Sequence, residues 1–133
     1  MSGDLALTLV WRHGFGGLAG YFDALAEGRI LGSRCPECGR TTVPPRGICP
    51  VDGAAMAGVA LPPTGVVVSV TTGATSRLLG AGVQPFGLVR VTGSDTCLLT
   101  RLAMDEGPGD AVVLEPQGAV AHPSQRLVFR RQA

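Results

Sequence analysis

The 133-residue sequence contains no lysine: each of its 11 basic residues is an arginine. Schiff-base chemistry is thereby excluded, and so is the usual P-loop, whose lysine reaches the phosphates. Charge of either sign is scarce. Charged residues make up 16 % of the chain, against roughly a quarter in an average soluble domain. Ten acids leave a net charge of +1, which offers no general attraction to nucleic acid or anionic lipid. Aromatics amount to 5 %. No apolar run approaches the roughly 18 residues of a membrane-spanning helix. Leu5 to Trp11 is largely apolar, but Asp4 precedes it without a basic lead and Arg12-His13 ends it. No secretory signal is therefore expected, which points to the cytoplasm. A hydrophobic content of 45 % is too high for disorder, and the length suits one ordinary domain or two very small ones.

Against this sparse background the cysteines stand out. Cys35, Cys38 and Cys49 crowd into fifteen residues, while Cys97 lies alone in a β-like run. In a reducing compartment clustered cysteines point to metal rather than disulfides. Cys35-Pro-Glu-Cys38-Gly and Cys49-Pro-Val-Asp52-Gly repeat one pattern. Each is a knuckle whose two side chains converge on one ion, and two knuckles supply the four donors of a structural zinc tetrahedron. The register calls for a fourth cysteine at position 52, where the sequence has Asp52. A carboxylate ligates zinc too, as a harder donor than thiolate. Cys97, a histidine or water are the alternative fourth ligands, and a decayed site without metal is another. Asp52 is preferred because the Cys-Pro…Gly frame is kept around it.

Composition divides the chain into a helical segment (1–34), the Cys/Gly/Pro-rich segment (35–60) and a Val/Leu/Thr-rich remainder (61–133). Leu18, Tyr21, Phe22 and Leu25 recur at i, i+3, i+4 and i+7 on one helical face, with Gly28 as the stop. Two readings of that stripe are open: packing on its own domain, or docking a partner. The last segment predicts five strands, Thr64–Thr72, Gly87–Thr92, Thr96–Ala103, Ala111–Glu115 and Arg126–Arg130. Their Gly- and Pro-bearing turns suggest a small antiparallel barrel or sandwich. The longest connection, Gly73 to Phe86, carries Arg77. Pro44-Pro45 stiffen the tip between the knuckles and would hold Arg46 in a fixed direction. No acid–base pair or activated nucleophile is visible: His13 and His122 stand apart, and Cys97 has no base in a motif beside it.

These features together resemble one family. Tyr21-Phe-Asp-Ala-Leu-Ala-Glu-Gly-Arg-Ile, the Cys35-Pro-Glu-Cys-Gly knuckle, Val43-Pro-Pro-Arg-Gly-Ile-Cys-Pro and Gly65-Val-Val-Val-Ser-Val-Thr-Thr look like a domain of unknown function that accompanies thiolases and acyl-CoA. Gln84-Pro-Phe-Gly-Leu-Val-Arg-Val is similar to its second barrel strand, and Asp52 is the departure from an intact ribbon. The resemblance implies a mostly β chain: an N-terminal helix, a rubredoxin-like zinc ribbon and a five-stranded OB-fold barrel. It also implies a non-catalytic accessory subunit of a thiolase-like enzyme, forming a hetero-oligomer and helping to build its acyl-CoA site. Under that reading one zinc sits on Cys35, Cys38, Cys49 and Asp52, and Arg46 and Arg77 bind coenzyme A. Leu18, Tyr21, Phe22 and Leu25 would then meet the partner. The rival is a zinc-ribbon OB-fold nucleic-acid-binding module. It needs a basic groove and stacking aromatics, whereas residues 61–133 hold six arginines against five acids, with only Phe86 and Phe129 as aromatics.

Overall fold

A computed structural model describes residues 3–12, 14–74, 82–103 and 105–133. After a 3-10 turn at Gly16–Leu18, helix α1 spans Ala19–Ala26. It ends where the sequence predicts. Gly28, at φ +74°, donates to Leu25 O, and the Arg29 amide donates to Ala24 O, the left-handed cap that satisfies the last carbonyls.

Strands β1 (Ile30–Arg34), β2 (Thr41–Thr42) and β3 (Ala57–Leu61) form an antiparallel sheet in the order β2-β1-β3. Five further strands follow: β4 (Thr64–Ala74), β5 (Val83–Val91), β6 (Cys97–Leu102), β7 (Ala111–Leu114) and β8 (Val128–Arg131). They close into a barrel in the order β4-β5-β6-β8-β7. The chain is thus mostly β, with the helix, ribbon and five-stranded barrel in the expected order. Two details differ from the sequence reading. The barrel is not wholly antiparallel: β6 and β8 run parallel, pairing Arg101 with Val128 and Leu102 with Phe129. Closing five strands over the β7–β8 return places them side by side in the same direction. In addition, β4 and β5 reach further than composition suggests, continuing their ladder to Ala74↔Val83. The predicted long connection is partly strand, and Arg77 lies outside the described residues.

Alternation along the strands builds the core. Val67, Val89, Val91, Leu98, Leu102, Val112, Leu114 and Phe129 point inward and are buried. At the β4 bulge between Val67 and Ser69, the chain presses on β5. A methyl group on Gly87 would overlap the Ser69 carbonyl oxygen there, so only glycine fits.

Tyr21, Leu25, Ile30, Val43 and Leu61 join the barrel residues in one hydrophobic cluster. Polar bonds seal the same contact. Asp95 Oδ2 accepts from the Thr41 amide at 2.9 Å, and the Asp95 amide donates to Thr41 O at 2.9 Å. Thr96 Oγ1 accepts from the Val43 amide at 2.9 Å and donates to Val43 O at 3.0 Å. The Asp95-Thr96 turn therefore acts on β2 as an extra strand would. Combining Asp95→Ala with Thr96→Val should cost about 2–4 kcal/mol, since each change strands buried backbone groups. Thermal melting, with hydrogen exchange at Thr41 and Val43, checks this.

Candidate metal centre

Two knuckles of matching geometry bring the metal ligands together. In the first, the Cys35 amide donates to Arg40 O and the Gly39 amide to Cys35 O; in the second, Cys49 donates to Ala54 O and Gly53 to Cys49 O. Gly39 and Gly53 share φ +75°, the left-handed conformation that lets each turn close around its ligands. The donor atoms of Cys35, Cys38, Cys49 and Asp52 all lie within 4.8 Å of one another. Cys38 Sγ stands 3.6 Å from Cys49 Sγ, and Cys35 Sγ is 3.4 and 3.5 Å from the Asp52 oxygens. Tetrahedral zinc with ordinary bond lengths sets such edges at about 3.8 Å for S···S and about 3.6 Å for S···O. The site therefore fits one structural zinc ion, with Asp52 as the fourth ligand. Cys97 lies half-buried at the start of β6, and His122 instead caps a 3-10 turn at Pro123–Arg126, accepting from the Ser124 amide.

Backbone dipoles prepare the donors. The Asp52 amide lowers the Cys49 thiol below its ordinary range, while the Ala54 amide holds the Asp52 carboxyl low, donating to Oδ1 at 2.9 Å. Around Cys38 the Arg40 amide pulls the thiol down, but burial and the crowding of Cys35, Cys49 and Asp52 outweigh it. The thiol stands at about 11. Metal must displace that proton, so zinc affinity should fall about tenfold per pH unit for each proton released as the solution is acidified. Competition against a chromophoric chelator between pH 6 and 8 measures the slope, and a flat profile would contradict it. A zinc ion held by these four donors would cross-link the two knuckles. Ile48 and Val51 beside them are 61 % and 65 % exposed, so little apolar burial would hold this part of the ribbon otherwise.

Beside the ribbon two adjoining hollows of about 310 and 350 Å³ open between α1 and the β1–β3 sheet. Gly17, Pro45 and Gly58 line both; Leu18, Ser33, Arg46 and Met56 line the first, and Tyr21, Leu31 and Val59 the second. Arg46 is exposed at the rim, its backbone fixed by the amide donating to Ser33 Oγ at 2.8 Å. Sequence spacing had no means of showing Ser33, whose role depends on the sheet register that sets it beside Thr42 and Arg46.

Residues 22–56 match the family model of the ChsH2 rubredoxin-like zinc ribbon domain. Over those residues the ribbon is of the ChsH2 rubredoxin-like type. A chain of the Ltp2-ChsH2(DUF35) aldolase is similar to it at 27 % identity, with a TM-score of 0.65 over 86 % of this chain and 93 % of that one. A DUF35-family protein of unknown function from Sulfolobus solfataricus shares the fold at 19 % identity, with a TM-score of 0.62 over 85 % and 83 % of the two chains. No curated protein matches the chain.

Helix α1 decides between the two readings of its apolar stripe for two of the four residues. Tyr21 is 2 % and Leu25 0 % exposed, and both belong to the chain's own core. Leu18 and Phe22 pack half-buried against it. Tyr21 and Leu25 are consumed by closing the helix over the sheet and barrel and have no surface left for a partner, whereas Leu18 and Phe22 keep part of theirs. Among the described residues, no helix is long and apolar enough to cross a membrane.

Proposed function

We propose that this chain is a non-catalytic accessory subunit of a thiolase-like condensing, thiolytic or retro-aldol complex, acting on acyl-CoA in cytoplasmic lipid metabolism. The observation that carries the reading is its likeness, across nearly the whole of both chains, to a chain of the Ltp2-ChsH2(DUF35) aldolase. The chemistry agrees: the four clustered donors suit a closed structural metal site, and the imidazole–hydroxyl pair of His122 Nδ1 and Ser124 Oγ, 2.8 Å apart, belongs to the cap of the 3-10 turn at Pro123–Arg126. In this reading the α1–ribbon groove takes part of the acyl-CoA, with Arg46 at its rim for an anionic group. Arg77 is the second candidate for the phosphates. Catalytic residues belong to the partner, so the groove opens toward it. The nucleic-acid alternative is not favoured. Phe129 is fully buried in the barrel, which leaves Phe86 as the one described aromatic of the barrel available for stacking.

Co-expression with a thiolase-like protein tests the proposal. Size-exclusion chromatography should show a stable hetero-oligomer, and acyl-CoA turnover should require the partner. Arg46→Glu and Arg77→Glu should each raise the complex's KM for acyl-CoA about tenfold, the scale of one charge-assisted contact, while leaving the fold intact. A chain that stays alone beside such partners would defeat the reading.

A further inference from the structure

We propose that residues Leu5–Trp11 form a strand that adds to an open sheet edge of the condensing-enzyme partner. The inference rests on the accessory-subunit reading above. In this chain residues 3–12 enter neither helix nor strand. Yet Leu5, Leu7, Leu9, Val10 and Trp11 are 83, 75, 71, 85 and 80 % exposed, a concentration of bare apolar surface that a solvated tail would not carry. Alternation puts Leu5, Leu7, Leu9 and Trp11 on one side of an extended chain, with Ala6, Thr8 and Val10 on the other. No charge falls between Asp4 and Arg12. A strand apolar on both sides suits a sheet covered on both faces.

Among the described residues no edge offers that cover: β4 beyond Val67 pairs only with β5 and is mostly exposed. The barrel is closed, and β3, the outer strand of the ribbon sheet, presents the exposed Ala57, Gly58 and Ala60, too small to wall in a row of leucines. The root of the arm is fixed. Phe15 packs edge-on against Phe22 at 4.9 Å and against His122 at 5.7 Å. Two residues on, Gly17 lines both hollows of the groove. The arm thus springs from the lip of the groove, and seven extended residues span about 23 Å. The occupant is a partner edge strand with apolar cover above and below, gripped by main-chain bonds and the leucine row.

The experiment compares full-length chain, a deletion of residues 3–12, and the Leu7→Asp/Leu9→Asp pair, each with the thiolase-like partner. The altered residues touch no core, so zinc content and melting of the chain alone should be unchanged. Both variants should weaken the complex about 100-fold, and hydrogen exchange should show amides 5–11 protected only when the partner is bound. Equal affinity of all three would overturn the proposal. So would amides 5–11 already protected in the chain alone, which would mean the arm docks on its own chain. A chain that dimerises by itself and becomes monomeric on deletion would assign the arm to a second copy and overturn it too. Failure of the full-length chain to form any complex would instead remove the accessory-subunit reading, and the strand with it.

Discussion

Cys35→Ser should empty the metal site and unlock both knuckles while leaving the barrel standing. Cys35 is almost wholly buried and its Sγ faces Asp52 across the site, so its loss removes a donor that no neighbour can replace. Structural zinc contributes on the order of 10–16 kcal/mol in zinc-finger peptides, more than the apolar contacts around exposed Ile48 and Val51 can supply. Metal content should fall from about one ion per chain to near zero. Hydrogen exchange should then accelerate across the two knuckle turns, at the Gly39 and Gly53 amides. Thr41 and Val43 should stay protected, because Asp95 and Thr96 hold them to the barrel. Asp52→Cys should keep the ion and bind it more tightly, thiolate being the softer donor. Wild-type protein purified without chelator that holds no metal, yet shows the same ordered knuckles, would refute the assignment.

The metal site was legible because its information is local. Two knuckles state their own geometry in five residues each, and the repeat exposes Asp52 as the ligand even though it breaks the cysteine pattern. The strands were legible for a related reason: alternation in Gly87–Thr92 or Thr96–Ala103 is a property of neighbouring residues. What remained hidden depends on distant segments meeting. The parallel β6–β8 pair follows from barrel closure, which no window of sequence contains. The clamp of Asp95 and Thr96 on Thr41 and Val43 joins residues more than fifty positions apart. The helical stripe of Leu18, Tyr21, Phe22 and Leu25 is the instructive case. Periodicity shows that one face is apolar but not what covers it, and here the cover is the chain's own sheet and barrel.

That distinction has a measurable consequence at Tyr21. If the helix met a partner through this residue, Tyr21→Glu would yield a well-folded chain that fails to bind. The structure requires the opposite. The side chain is 2 % exposed within the main hydrophobic cluster, and burial raises the pKa of its phenol. A carboxylate there would have neither water nor a partner charge, and leaving a charge uncompensated in such a site costs about 3–5 kcal/mol, on top of the lost ring packing at about 3–5 kcal/mol. A single domain has a net stability of about 5–15 kcal/mol, so Tyr21→Glu should leave the chain largely unfolded at 25 °C. Tyr21→Phe separates packing from polarity. Among the described residues the buried Tyr21 hydroxyl has no hydrogen-bond partner, so its removal relieves an unsatisfied group and keeps the ring. The variant should match the wild type or gain up to about 1 kcal/mol, read as an equal or higher midpoint in urea. A soluble, cooperatively folding Tyr21→Glu would return Tyr21 to the surface and reopen the helix as an interface.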